Sequence, residues 1–261
     1  MNYQVTGNEY LSLPTIRETD GAVEGVTFLY MQLKGLLEIR GDAGLIRPYV
    51  QAEGTRLPLH PVWRRAHCWI PSFTSEESGL RFSCTYLTPI GERALFLRLS
   101  VTNTGPQVRA VRFGTEGEWE QTLHEINETT PLTAGREAVS SGWNHMFLFS
   151  QKPGVPLFAF APCVADPQPF SQIDQQAQWT RDGFAYDIFR EVLLQPGEEA
   201  VLDIPWGVGY EGVAAATSAK ELLRQGFDAA YAGTSAWLAA REKRLNDPVL
   251  HELLGTNLFF A

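Results

Sequence analysis

The feature that most constrains the fold is a succession of short alternating segments separated by turn residues. The clearest one runs from Arg93 to Thr102, where leucine or valine occupies every second position. It ends in Asn103-Thr104-Gly105-Pro106, a strong turn signal. Roughly ten to twelve such segments follow one another, with a turn about every ten to fifteen residues, which is typical of an all-β sandwich. Strands do not alternate with helices, so a parallel α/β fold is disfavoured.

Helical character is confined to the stretch from Thr217 to Ala261. Ser218 and Glu221 have capping-box spacing and predict a helix start, while Gly233 predicts a stop. Asp247-Pro248 predicts a further start, and apolar residues continue from there to Leu258-Phe259-Phe260-Ala261. Because no helix-stop signal follows, we expect a fragment cut where a helical domain begins. The composition changes at 207–217, so we expect the tail to lie outside the sandwich core.

Composition excludes several classes of function. The formal net charge of −9 argues against nucleic acid or an anionic membrane as a partner. No run of apolar residues is long enough to span a bilayer, and the N-terminus lacks the basic and apolar segments of a signal peptide. The cysteines are odd in number and far apart (Cys68, Cys84 and Cys163), which favours buried thiols in a reducing cytoplasm.

Sequence motifs for common cofactor and catalytic sites are absent. There is no GxxxxGK[ST] phosphate loop, no HExxH metalloprotease motif and no GxSxG nucleophile elbow. The histidines are not spaced as metal ligands, although His60 and His67 are close in the chain. We therefore expect neither a metal site nor a cofactor.

An acidic run, Glu116-Gly117-Glu118-Trp119-Glu120, predicts three carboxylates on one face of a strand and Trp119 on the other. Glycoside cleavage uses two carboxyl groups roughly 5 to 10 Å apart, and positions i and i+2 of a strand lie roughly 6.5 to 7 Å apart. Glu116 and Glu118 are therefore acidic candidates. Nothing in the run marks one carboxyl as desolvated, so a solvated strand face is the favoured interpretation.

A second set of candidates lies in a segment that Pro58 and Pro61 predict to be a loop, from Leu59 to Ile70. Aromatic rings beside charged donors suit the apolar faces and the hydroxyl groups of sugars. Core packing or an interdomain contact is an equally good account of each ring. The candidates for carbohydrate or interdomain contact are Trp63, Arg64, Arg65, His67 and Trp69, together with Trp143.

The order of these parts resembles the N-terminal half of the six-hairpin glycosidases, which include glucoamylase-like enzymes, debranching-type glucosidases and inverting disaccharide phosphorylases. The resemblance rests on the segment 86–103, on Leu194-Gln195-Pro196-Gly197-Glu198-Glu199, on Leu245-Asn246-Asp247-Pro248-Val249-Leu250 and on Asn257-Leu258-Phe259-Phe260. It implies a galactose-mutarotase-like β-supersandwich over 1–212, a helical linker over 213–246, and the first helix of an (α/α)6 barrel over 247–261.

The same resemblance implies that the catalytic acid and base lie in the barrel, so no catalytic residue is assigned. The expected partners are an oligosaccharide, bound by the full-length enzyme, and the barrel itself, with a homo-oligomer as a further possibility. Two alternatives stay open. One is a free-standing aldose epimerase, which needs a general acid and a general base in one sugar-sized cleft. The other is a carbohydrate-binding or protein-interaction module.

Overall fold

A computed structural model of the chain describes residues 2–30, 35–125, 129–131, 136–141, 146–151, 159–162, 172–179, 184–209, 212–242 and 249. These residues form nineteen strands and two helices. The strands are β1 Tyr3–Gly7, β2 Leu11–Arg17, β3 Gly25–Tyr30, β4 Gly35–Arg40, β5 Arg47–Ala52, β6 Thr55–Arg56, β7 Val62–Ala66, β8 Ile70–Glu77, β9 Leu80–Leu87, β10 Ala94–Asn103, β11 Arg109–Trp119, β12 Gln121–Glu125, β13 Thr129–Pro131, β14 Arg136–Ser141, β15 Met146–Gln151, β16 Ala159–Pro162, β17 Gln172–Trp179, β18 Phe184–Leu194 and β19 Glu199–Gly209. The helices are α1 Gly212–Gln225 and α2 Phe227–Ala239.

The strands form three antiparallel sheets. The eight-stranded sheet has the order β14-β15-β16-β19-β10-β9-β8-β7, the six-stranded sheet β1-β2-β3-β4-β12-β13 and the five-stranded sheet β17-β18-β11-β5-β6. Val23 forms bridges to both Ile16 and Ile46, which joins the six-stranded sheet to the segment that leads into β5. The expected all-β fold with a short helical C-terminal segment is confirmed.

Alternate residues of β10 face opposite sides of the eight-stranded sheet, one side toward the main core and the other toward the helices. β10 pairs with β9 on one side and with β19 on the other, so both of its edges are satisfied. The four residues of β10 that belong to the main apolar core are Leu95, Leu97, Leu99 and Val101. Burying each leucine contributes about 1.5–3 kcal/mol relative to leaving it in water. The alternate residues of β10, beginning with Ala94 and Phe96, lie on the outer face of the sheet.

A local expectation is corrected by the strands. The proposed loop from Leu59 to Ile70 is wrong, because residues 62–66 form the edge strand β7, paired with β8. An edge strand tolerates outward charges such as Arg64, so its charged composition does not mark it as a loop.

The predicted helix signals are also corrected. Helix α1 begins at Gly212, and Ser218 lies inside it rather than at its start. Gly233 lies inside α2, and the break between the helices falls at Gly226, whose φ is 83°. Glycine adopts this left-handed conformation without steric cost, so position 226 ends one helix and precedes the next. The described helices are too short to cross a membrane.

Both helices pack on the outer face of the eight-stranded sheet. They form a second apolar cluster, separate from the main core, with Trp69, Ile70, Leu87, Ala94, Phe96, Leu222, Phe227, Ala230 and Leu238 as its buried members. The rings of Phe96 and Phe227 meet edge to face with their centroids 5.1 Å apart. Helices α1 and α2 therefore lie outside the main core of the sandwich and are firmly packed against the sheet.

Candidate functional site

Two of the sequence candidates on β7 point into the sandwich. The Trp63 ring packs against Phe73, with centroids 5.1 Å apart, and its indole N–H donates to the carbonyl oxygen of Glu18 at 2.9 Å. Arg65 Nε donates to Gln4 Oε1, and Gln4 Nε2 donates to Glu18 Oε1 at 2.6 Å. These contacts tie the edge strand to β1 and to the turn after β2, and Trp63 therefore has the surroundings of a packing residue.

The hairpin of β7 and β8 ends in a strained turn. The Trp69 N–H donates to the Ala66 carbonyl at 3.1 Å, and the two central residues, His67 and Cys68, have φ of 52° and 57°. Positive φ at both central residues is the conformation of a type I′ turn. Asn-Gly is the preferred pair there, because positive φ is unfavourable for most residues that have a Cβ. In two other hairpins of the chain the corresponding pairs are Glu53-Gly54 and Ser78-Gly79, each with glycine at the second position.

This turn lies beside the end of α2. His67 Nδ1 is 3.3 Å from Glu242 Oε2, and the two side chains are 27% and 20% exposed. Trp69, at 4% exposure, is a core residue, and its indole donates to the Gly7 carbonyl at 2.5 Å. Arg64 is exposed on the neighbouring strand. Trp143 lies outside the described residues. The structure therefore brings His67 close to the end of α2, and it assigns Trp69 to the helix–sheet cluster.

The acidic run has the predicted strand geometry as far as Trp119, where β11 ends, so Glu120 lies outside the strand. Trp119 is buried, while Glu116 and Glu118 lie on the opposite face of β11 and are half-buried. Glu116 is paired with two arginines: its Oε2 is 2.5 Å from Arg56 Nη2, and its Oε1 is 3.5 Å from Arg47 Nη2. Glu116 therefore belongs to an ion-pair network, and the catalytic role considered for the two glutamates stays a prediction.

The network covers the outer face of the five-stranded sheet. The register places Asp187, Glu116 and Arg47 side by side on β18, β11 and β5, and it places Phe189, Gly114 and Tyr49 in the next outward-facing row. We call this set the arginine–carboxylate cluster; its members are Arg47, Tyr49, Arg56, Arg112, Glu116, Asp187 and Phe189.

Its centre is a hydrogen-bonded triad of Tyr49, Asp187 and Arg112. The Tyr49 hydroxyl donates to Asp187 Oδ1 at 2.8 Å and accepts from Arg112 Nε at 3.1 Å. Arg112 Nη2 also donates to Asp187 Oδ2 at 2.6 Å. Burial raises the pKa of Asp187 above its ordinary value although both hydrogen-bond donors act to lower it. Burial, together with the Asp187 charge, raises the pKa of Tyr49.

Sequence reasoning singled out only Glu116 from this cluster. The other members come from strands that are distant in the chain, and the Tyr49–Asp187 hydrogen bond spans 138 residues. No local pattern signals such a pairing. Among the described residues, no group of three histidine, cysteine, aspartate or glutamate side chains is placed to hold a metal ion.

Comparison with family models and with curated proteins finds no match, but solved structures match the fold. A kojibiose phosphorylase from the human microbiome aligns over 90% of this chain and 35% of its own, with a TM-score of 0.60 and 10% identity. A bacterial glucoamylase complexed with acarbose aligns over 91% of this chain and 36% of its own, with a TM-score of 0.53 and 8% identity.

An aldose epimerase homologue from C. elegans aligns over 80% of this chain and 98% of its own, with a TM-score of 0.51 and 8% identity. The chain thus spans about a third of the phosphorylase and of the glucoamylase, and nearly all of the epimerase homologue. Identities this low carry the fold alone. The chain has the galactose-mutarotase-like β-supersandwich fold that its sequence suggested.

Proposed function

We propose that the chain is the N-terminal part of a cytoplasmic carbohydrate-active enzyme of the glycoside hydrolase or phosphorylase type. In this proposal, residues 1–212 are the supersandwich, 213–246 the linker and 247–261 the first helix of a catalytic barrel. The catalytic acid and base lie beyond Ala261, and the substrate is an oligosaccharide bound by the full-length enzyme. Two much longer carbohydrate-processing enzymes with the same sandwich fold support this proposal.

The observation that carries the proposal is the packing of α1 and α2. Both helices are fixed to the eight-stranded sheet by a buried apolar cluster, and Glu242, which follows α2, lies beside the His67 turn. A linker that is packed in this way holds the chain that follows it in a defined position relative to the sandwich. The linker would then position a barrel next to the β7–β8 hairpin.

The β7–β8 turn is accordingly our candidate for the contact with the barrel. His67 and Arg64 are the side chains proposed to reach the barrel or its substrate. Trp63, Arg65 and Trp69 would hold the hairpin from below through their contacts with Glu18, Gln4 and Gly7. If the turn contacts the sugar, substitutions in it should change KM or kcat at an unchanged melting temperature. If it only contacts the barrel, they should lower stability and leave the kinetics unchanged.

The test uses the full-length gene product, with its reading frame followed past Ala261. Glucose release from kojibiose and maltose is measured with and without inorganic phosphate. A hydrolase transfers the glucosyl group to water and releases glucose in both conditions, whereas a phosphorylase transfers it to phosphate and releases glucose only when phosphate is present. Arg64→Ala should raise KM or lower kcat with an unchanged melting temperature, and Arg81→Ala on the same sheet serves as the control. A reading frame that stops at Ala261, or a full-length protein inactive on both sugars, would contradict the proposal.

A second candidate, a free-standing aldose epimerase, is favoured by the near-complete coverage of the epimerase homologue. His67 and Glu242 would supply the histidine and the carboxylate that such chemistry uses. Polarimetry of α-D-glucose and α-D-galactose tests it directly with the 261-residue chain. Faster mutarotation that is lost in Glu242→Gln would establish this alternative, whereas the uncatalysed rate would reject it.

A further inference from the structure

We propose that the arginine–carboxylate cluster is a binding site for a neutral polyhydroxylated ligand, a mono- or disaccharide. This site lies on the outer face of the five-stranded sheet, on a different sheet from the one that carries α1, α2 and the β7–β8 turn. It belongs to the sandwich itself, so the inference does not depend on the presence of a barrel.

The site is layered. Phe189 and Tyr49 are each only 3% exposed, and an arginine lies over each ring: Arg112 Cζ is 3.4 Å from the Phe189 centroid, and Arg56 Cζ is 3.7 Å from the Tyr49 centroid. Each of these arginines then reaches a carboxylate, Asp187 for Arg112 and Glu116 for Arg56. The result is an aromatic floor covered by two guanidinium–carboxylate pairs.

The side chains of the cluster are preorganised by the sheet. The side chains come from adjacent strands whose register is fixed, and the stacked rings restrict the rotamers of both arginines. Gly114 lies between Tyr49 and Phe189, where strands β11 and β18 approach closely: a Cβ on Gly114 would lie 2.0 Å from the Ile188 carbonyl oxygen. Donors and acceptors held in this way lose little conformational entropy when a ligand binds.

The charges of the cluster balance, and this balance selects the class of ligand. The positive charges are those of Arg47, Arg56 and Arg112. The negative charges are those of Glu116, Asp187 and the neighbouring Glu191, whose Oε1 is 3.6 Å from Arg112 Nη1. An anion would meet the carboxylates and a cation would meet the guanidinium groups. A hydroxyl group both donates and accepts, so a polyol matches alternating guanidinium and carboxylate groups.

The cluster is not arranged for stability alone. Asp187 lies directly opposite Glu116 across the strand pair, and like charges in that position are destabilising. Arg47 Nε is buried without a hydrogen-bond partner among the described residues. Local rules of this kind are commonly broken where a protein binds a ligand.

The experiment titrates the 261-residue chain with glucose, maltose and, as an anionic probe, inorganic phosphate, and follows backbone amide chemical shifts. We expect saturable shifts with a sugar that are confined to β5, β6, β11 and β18. Arg56→Ala and Glu116→Gln should each weaken sugar binding about tenfold, because each removes a charged hydrogen-bond partner. The matched control is Arg81→Ala, which removes an exposed arginine paired with Glu76 on the other sheet.

Shift mapping on the unmodified chain decides the question even if a variant folds poorly. Shifts that cluster on the helices or on the β7–β8 hairpin would place sugar binding elsewhere and overturn the assignment. Saturation by phosphate without a response to either sugar would overturn the class of ligand. No response to any of the probes would overturn both. None of these outcomes depends on whether a barrel follows, so failure here is distinguishable from failure of the proposed function.

Discussion

The backbone of Gly207 on β19 lies directly against the backbone of Ala215 on α1. A Cβ atom on Gly207 would lie 2.0 Å from the Ala215 carbonyl oxygen and 2.6 Å from the Ala219 nitrogen. Gly207→Ala should therefore push α1 off the sheet, at a cost of about 3 kcal/mol in the free energy of unfolding measured by urea denaturation.

Gly233 offers a matched control for that substitution. It lies inside α2, and a Cβ there would meet no atom within 4 Å. Gly233→Ala should raise the free energy of unfolding by about 0.5–1 kcal/mol, because alanine restricts the unfolded chain more than glycine does. A loss of stability in Gly233→Ala as large as in Gly207→Ala would show that the close approach is not the cause.

Cys68→Gly is expected to stabilise the protein. Cys68 has a φ of 57°, and a non-glycine residue in this region is strained by about 1–2 kcal/mol. Glycine removes the strain but gains entropy in the unfolded chain, so we expect a net gain of about 0.5–1 kcal/mol. The reverse change, Gly79→Cys in the β8–β9 turn, should destabilise by a similar amount. An unchanged or lower melting temperature for Cys68→Gly would mean that the side chain contributes more than its strain.

Arg98 on β10 makes two unequal ion pairs, one within the sheet to Asp203 on β19 and one to Asp228 on α2. It binds both carboxylate oxygens of Asp203, at 2.7 and 2.8 Å, and reaches Asp228 at 2.5 Å. The Asp203 side chain is 23% exposed and that of Asp228 is 87% exposed. Arg98→Ala should cost about 2 kcal/mol because it leaves Asp203 half-buried without its cation. Asp228→Asn should cost less than about 1 kcal/mol. Equal losses in urea denaturation would contradict this ranking.

Stability should fall in alkaline solution. Burial raises the pKa of the Cys84 thiol to about 12 from a reference of 9.0, and it raises the pKa of Tyr86 and Tyr186 well above 10.0. The folded state then keeps protons that the unfolded state loses, so the free energy of unfolding decreases as the pH rises from 9 toward 12. Each retained proton contributes a slope of about 1.4 kcal/mol per pH unit.

The Cys84 part of this slope can be isolated. Cys84→Ala removes one of the retained protons, so its unfolding free energy should fall less steeply between pH 9 and pH 12 than that of the unmodified chain. Urea denaturation at a series of pH values measures both slopes. The comparison of slopes is independent of the small cavity that the substitution leaves, because the cavity lowers stability equally at every pH. Identical slopes would show that the thiol does not titrate as expected.

The strands could be predicted from the sequence because the alternation of apolar and polar residues is a local pattern. The residues from Leu95 to Val101 indicate a strand with one buried face, whatever strands lie beside it. The increase in alanine near position 213 indicates a helix in the same local way. Features that depend on tertiary packing could not be predicted from the sequence. Gly226 and Gly233 are equally good helix stops by composition, and the break falls at Gly226, whereas Gly233 continues α2.

The same reason explains the outcome for the candidate sites. A run of tryptophan and arginine beside two prolines has the composition of a loop, yet pairing with β8 makes it an edge strand and directs Trp63 inward. The arginine–carboxylate cluster could not be found because β5, β11 and β18 become neighbours only when the sheet forms. Nonlocal pairing of this kind leaves no periodic signal in the chain.

The backbone contact between α1 and β19 has a mechanical consequence. Gly207 and Gly209 bring the backbone of α1 into direct contact with the backbone of β19, with no side chain between them. Helix α1 therefore has less freedom to shift on the sheet than a helix that packs through flexible side chains. A pull on the C-terminal side of the chain is therefore passed to β19, an interior strand of the eight-stranded sheet. The sandwich and α1 thus act as one stiff unit, from which α2 continues after the turn at Gly226.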